Sequence, residues 1–168
     1  MRIFLTGFMG AGKTAVGRRL GERLGLPFAD LDEEIERRSG LTVREIFDRS
    51  GEPEFRRLER ATLVELIDRP DLVLATGGGT PAFEPTARLL ESGGVTVWLN
   101  PPFATIVERI GALGKQTRPL FRDETEAWRL YRSRLTAYRA SDLRVDVAPG
   151  ETEDEVAARV ALLVPCDT

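Results

Sequence analysis

Five short apolar runs alternate with stretches in which apolar residues recur every three or four positions. The runs are Ile3–Thr6, Pro27–Asp30, Leu72–Thr76, Val95–Leu99 and Leu143–Val147, each of a length that suits a buried strand. Between them the helical period predicts helices over Lys13–Leu24, Pro53–Ile67, Pro85–Ser92, Phe103–Ile110, Glu124–Tyr138 and Glu153–Leu163. Val16, Leu20 and Leu24 mark the first helix, and Gly25 and Pro27 stop it. Thr42 with Glu45, and Thr152 with Glu155, fit capping boxes, and Pro53 suits a first helical position. Trp128, Tyr131, Leu135 and Tyr138 step by three and four, which predicts a core-facing stripe rather than a base-stacking surface.

Strand–helix alternation predicts an α/β fold with a parallel sheet covered on both faces. Right-handed crossovers then collect the loops that follow the strands along one edge. Three polar or glycine-rich stretches fall there: Gly7–Thr14 after the first strand, Asp30-Leu31-Asp32 after the second, and Gly77-Gly78-Gly79 after the third. No repeat, low-complexity tract or linker interrupts the pattern, so a single domain over residues 1–168 is expected.

Composition narrows the chemistry. The chain has no histidine and one cysteine, Cys166. Ser–His triads, His-ligated zinc, Cys-cluster metals and an intramolecular disulfide are thereby excluded, and a general base must be Asp, Glu, Lys, Tyr or Cys. A net charge of −3 argues against nucleic acid as a partner. No apolar run approaches bilayer-spanning length, and the first strand begins too early to leave room for a signal peptide, so a cytoplasmic protein without a membrane partner is expected. Of the 24 basic residues only Lys13 and Lys115 are lysines, and Lys13 stands where a compact ammonium suits a phosphate better than a wide guanidinium does.

Gly7-Phe8-Met9-Gly10-Ala11-Gly12-Lys13-Thr14 fits G-x-x-x-x-G-K-[ST] between a strand and a helix. Glycines let successive N–H groups turn toward an anion, and the helix N-terminus adds positive potential. Lys13 then reaches the β- and γ-phosphates and Thr14 ligates magnesium. Asp30 and Asp32 at a strand exit are expected to leave on opposite faces, one toward metal and phosphates, the other toward an acceptor. Arg56 beside Phe55 is placed to reach a cleft, with Glu59 three residues on to hold its rotamer. The triple glycine allows close backbone approach to a ligand. Arg109 through Phe121, with Gly111, Gly114, Lys115, Gln116, Thr117 and Arg118, reads as a mobile lid. Among Arg132, Arg134 and Arg139, at least one is expected to face the cleft and bind a carboxylate.

Together, Gly7–Thr14, Phe28-Ala-Asp-Leu-Asp32, Ile35-Glu36, Glu45-Ile-Phe47, Gly51-Glu-Pro-Glu-Phe-Arg56 with Glu59, Gly77-Gly-Gly79 and Arg118-Pro-Leu120 closely resemble the shikimate kinases. The resemblance implies a three-layer α/β/α P-loop kinase fold with a five-stranded parallel sheet ordered 2-3-1-4-5, an acceptor-binding region at about 31–62 and a lid at about 111–123. It implies a monomer that transfers the γ-phosphate of ATP to the 3-hydroxyl of shikimate, with magnesium. By the same resemblance, Gly10, Ala11, Gly12, Lys13, Thr14 and Ala15 contact phosphates, and Thr14 and Asp30 serve the metal, Asp30 through water. Asp32 binds acceptor hydroxyls and takes the proton. Arg56 and Arg134 clamp the carboxylate, with Gly77, Gly78 and Gly79 against the ring. Arg118 reaches the transferring phosphate, Arg109 lies against adenine, and Lys13, Asp32 and Arg118 form the catalytic set. The rivals are a related small-molecule kinase, such as a gluconate kinase, and a catalytically silent nucleotide-binding relative.

Overall fold

The computed structural model describes residues 1–112 and 123–165. Lys115, Arg118 and Cys166, and most of the expected lid, lie outside the described residues. Five strands, β1 (Arg2–Thr6), β2 (Phe28–Asp30), β3 (Leu72–Ala75), β4 (Val95–Asn100) and β5 (Leu143–Asp146), form one parallel sheet ordered β2-β3-β1-β4-β5. The central strand β1 lies between β3 and β4, with Leu5 opposite Ala75 on one side and Val97 on the other.

The sheet is apolar throughout its centre because helices cover both faces. Alternate side chains of β1 serve the two layers. Ile3 and Leu5 join Val16 and Leu20 of α1 (Lys13–Leu24) and Val156 and Val160 of α7 (Glu153–Leu163). Phe4 joins Ile35 of α2 (Leu31–Ser39), Leu63 and Leu66 of α3 (Val43–Ile67) and Leu90 of α4 (Glu84–Gly93). A third cluster, with Phe8, Met9, Trp98, Ile106 and Tyr138, packs α5 (Phe103–Ala112) and α6 (Glu124–Arg139) against the loop after β1. Among the described residues no helix is long and apolar enough to cross a membrane.

Four local expectations change. The chain does not continue as a strand past Asp30: it enters α2 at Leu31, and Asp32 lies in the first helical turn. Asp30 accepts hydrogen bonds from the N–H groups of Asp32, at 3.0 Å, and Glu33, at 3.2 Å. An aspartate at that point satisfies orphan amides and complements the helix dipole, which outweighs strand propagation. The helix over 53–67 is the second half of α3, which starts at its Thr42–Glu45 capping box and kinks at Gly51 (φ 78°, ψ 176°). Pro53 sits in the first turn after that break, where its missing N–H is tolerated. α5 runs through Gly111, so this glycine is helical rather than a lid hinge. The buried face of α6 passes through Ala127, Arg134 and Tyr138. Trp128, one step round from Ala127, is therefore marginal at 43% exposure, packed on Phe103 and Tyr131.

The capping box makes stability at this end of α3 depend on pH. The Thr42 backbone N–H, then its hydroxyl, then Arg49 hold the Glu45 carboxyl below its ordinary 4.5. A folded-state value below the unfolded one stabilises above the unfolded value, and the benefit is lost as pH falls through the folded one. Wild-type protein is expected to exceed Glu45→Gln in urea midpoint at neutral pH, with the gap closing below pH 4.5. A gap that is constant with pH contradicts the assignment.

Candidate active site

The loop between β1 and α1 depends on left-handed glycines: Gly7, Gly10 and Gly12 have φ of 136°, 76° and 94°. Ala11 N–H closes a turn onto Phe8 O at 3.1 Å, and Gly12 caps the N-terminus of α1. Amides and helix dipole thus converge on one concave anion site. The buried Lys13 ammonium donates to Gly7 O at 2.8 Å and Phe8 O at 3.0 Å, so one cation spans the rim of the loop. Thr14 Oγ1 donates to Asp30 Oδ2 at 2.6 Å, while Asp30 Oδ1 caps α2. Arg109 Nη1 donates to Gly10 O at 3.2 Å and lies 3.4 Å from where a Gly12 Cβ would stand, so Arg109 crosses the loop.

The turn after β3 faces this loop. A Cβ on Gly78 would lie 3.3 Å from Met9 N and 3.2 Å from Arg134 Nη1. A Cβ on Gly77 would lie 3.2 Å from Asp32 Oδ1 and 3.3 Å from Glu59 Oε1. On Gly79 it would collide with Arg56 Nη2 and lie 3.0 Å from Arg134 Nη2. The room vacated by three side chains is therefore filled by the protein's own charged groups, and Arg56 and Arg134 meet over Gly79.

Each guanidinium is held. Arg56 Nη1 donates to Glu59 Oε2 at 2.6 Å, and its guanidinium lies near the Phe55 and Phe83 rings, at 5.3 and 5.7 Å. Glu59 is fully buried and takes a second hydrogen bond from Thr80 Oγ1 at 2.7 Å. Arg134 is 6% exposed, and its Nη1 has no hydrogen-bond partner among the described residues. A buried cation with an open donor is costly unless an anion completes it. Arg132 and Arg139 remain exposed, so Arg134 alone of the three turns inward.

Sequence reasoning missed the groups that brace the cations. Thr80 was visible only as the residue after the triple glycine. Thr86 donates to Thr80 O at 2.5 Å from the next helix. Tyr138, expected only as core, donates its hydroxyl to Gly78 O at 2.7 Å. Its signal was the four-residue step from Arg134, which puts both on one helical face.

Fold and site define a P-loop kinase, with the glycine loop and a turn lined by two arginines on one edge of a 2-3-1-4-5 sheet. A family profile described as shikimate kinase matches residues 9–164, and the chain belongs to the shikimate kinase family. It is 42% identical to a shikimate kinase of Ruegeria pomeroyi over 91% of this chain and 78% of the relative. With that of Aquifex aeolicus it shares 38% over 97% and 95%. A solved shikimate kinase from Acinetobacter baumannii, in complex with shikimate, superposes with a TM-score of 0.89 at 37% identity, covering 96% of this chain and 91% of that one. A gluconokinase from Sinorhizobium meliloti, at TM-score 0.56 and 19% identity over 96% and 93%, shares the fold alone.

Removing Glu59 leaves Arg56 with only the exposed Glu52 carboxylate, 3.3 Å from its Nε and Nη2, and orphans the Thr80 hydroxyl. Glu59→Ala is expected to cost on the order of 2–3 kcal/mol in urea unfolding. Glu59→Gln, which keeps an acceptor for Thr80, is expected to cost less. Unchanged midpoints for both would contradict the bracing role.

Proposed function

We propose that this chain transfers the γ-phosphoryl group of ATP to the 3-hydroxyl of shikimate, a step toward chorismate and the aromatic amino acids. The observation that carries the reading is the convergence of Arg56 and Arg134 over Gly79, beside the phosphate loop. Two forked cations facing one point suit the shikimate carboxylate, which sets the acceptor's orientation. Family membership and the shikimate-bound relative support the same acceptor.

In this reading Gly10, Ala11, Gly12 and Ala15 hold the phosphates through backbone amides, and Lys13 exchanges its carbonyl partners for β- and γ-phosphate oxygens. Arg109, across the loop, lies toward adenine. Asp32 and Gly77–Gly79 receive the acceptor hydroxyls. The attacking oxygen forms its bond to phosphorus as the bond to the β–γ bridging oxygen breaks, and its proton passes to the Asp32 carboxylate. A loose transition state asks mainly for alignment and charge neutralisation, so proton removal is a minor contribution. Arg118, outside the described residues, keeps the role of lid cation by resemblance. Thr14 and Asp30 form a hard oxygen pair that fits magnesium, which takes few protein ligands beside phosphates and water. Magnesium bound there neutralises the developing phosphate charge. The protein works as a cytoplasmic monomer, a single domain with its acceptor region at about 31–62 and its lid at about 111–123.

A panel of shikimate, gluconate and other hydroxy acids, read by ATP consumption, tests the acceptor: turnover with shikimate is expected, and turnover with gluconate alone would overturn the reading. Arg56→Lys is expected to raise the shikimate KM roughly 10- to 100-fold, because an ammonium loses the forked contact, while the ATP KM stays near wild type. Asp32→Asn is expected to lower kcat, and wild-type turnover would remove Asp32 from the proton path.

A further inference from the structure

The Gly78–Gly79 peptide is held from one side only. Tyr138 Oη donates to Gly78 O at 2.7 Å. Its ring is fully buried and stacked on Trp98 of β4, with centroids 6.0 Å apart. In a planar trans peptide the C=O and the following N–H point opposite ways. A carbonyl drawn toward α6 therefore turns the Gly79 N–H away from α6. No described residue accepts a hydrogen bond from that N–H, although Gly79 O is bound by Ala82 N–H at 2.9 Å. Arg134, one turn earlier on α6, puts Nη1 and Nη2 3.2 and 3.0 Å from the Cβ positions of Gly78 and Gly79.

We propose that Tyr138 is a positioning residue for the acceptor: its hydroxyl fixes the Gly78–Gly79 peptide plane against Arg134, so that one open amide and the open Nη1 of Arg134 are registered on the same hydroxy acid. The inference rests on the proposed shikimate reaction and deepens it. One helix carries both Tyr138 and Arg134, so the peptide plane and the cation are set from the same element. Burial pushes the Tyr138 phenol well above its ordinary value, so it stays a donor wherever the fold persists.

Tyr138→Phe keeps the ring and its stacking and removes only the hydroxyl, which donates to Gly78 O and also meets the Arg134 guanidinium. The shikimate KM, and the shikimate Kd by calorimetry in the presence of ADP, are expected to rise about tenfold. The ATP KM and ADP affinity are expected to stay within about twofold of wild type. A merely structural tyrosine would weaken both substrates together or neither, and either result overturns the proposal. If Tyr138→Phe does not fold, Trp98→Phe loosens the stack under the ring while keeping the hydroxyl. A selective rise in shikimate KM then supports the proposal, and unchanged constants overturn it. Wild-type protein that fails to bind shikimate overturns the parent reading and this one with it. Wild-type binding matched by the variant overturns this one alone.

Discussion

Two like charges brought together inside a protein set the terms for everything around them. Arg56 and Arg134 approach the same point over Gly79, where water screens them little. Their repulsion is answered on one side by the buried Glu59 carboxylate, bonded to Arg56, while Arg134 keeps an open Nη1. The arrangement exists only because residue 79 lacks a Cβ. In the proposed reading it is an anion site assembled in advance, which leaves little ordering for a bound acceptor to bring about.

The same constraint ties the two halves of the site. Gly78 backs onto Met9 of the phosphate loop and Gly77 onto Asp32 of α2. Thr14, at the start of α1, is bonded to Asp30, which caps α2. The glycine loop, the turn after β3 and the acidic helix therefore share contacts rather than sitting side by side. For phosphoryl transfer this matters, because the protein's main task is to align donor and acceptor oxygens.

The architecture was legible because a two-sided parallel sheet writes continuous apolar runs into the chain, and β1, β3 and β4 are such runs. The phosphate loop was legible because Gly7, Gly10 and Gly12 occupy backbone conformations that other residues adopt at a cost. Asp30 and Asp32 were recognised, but their geometry was not. Strand alternation was assumed where an N-cap had already started a helix. The α6 stripe was mis-phased at Trp128 for a different reason: its inward face includes a cation, Arg134, and apolar periodicity does not register a buried charge. Thr80 and Tyr138 were opaque as functional groups because their partners, Glu59 and the Gly78 carbonyl, lie 21 and 60 residues away.

Arg56 and Arg134 face one point over Gly79, and in the proposed reading both act on one anion. Calorimetry of shikimate binding with ADP present, on wild type, Arg56→Lys, Arg134→Lys and the double variant, tests it most directly. If both grip one carboxylate, the losses are coupled and the cycle gives an interaction energy above about 0.5 kcal/mol. Losses that add to within about 0.3 kcal/mol would mean that the arginines serve separate groups, and the shared-anion account would fail.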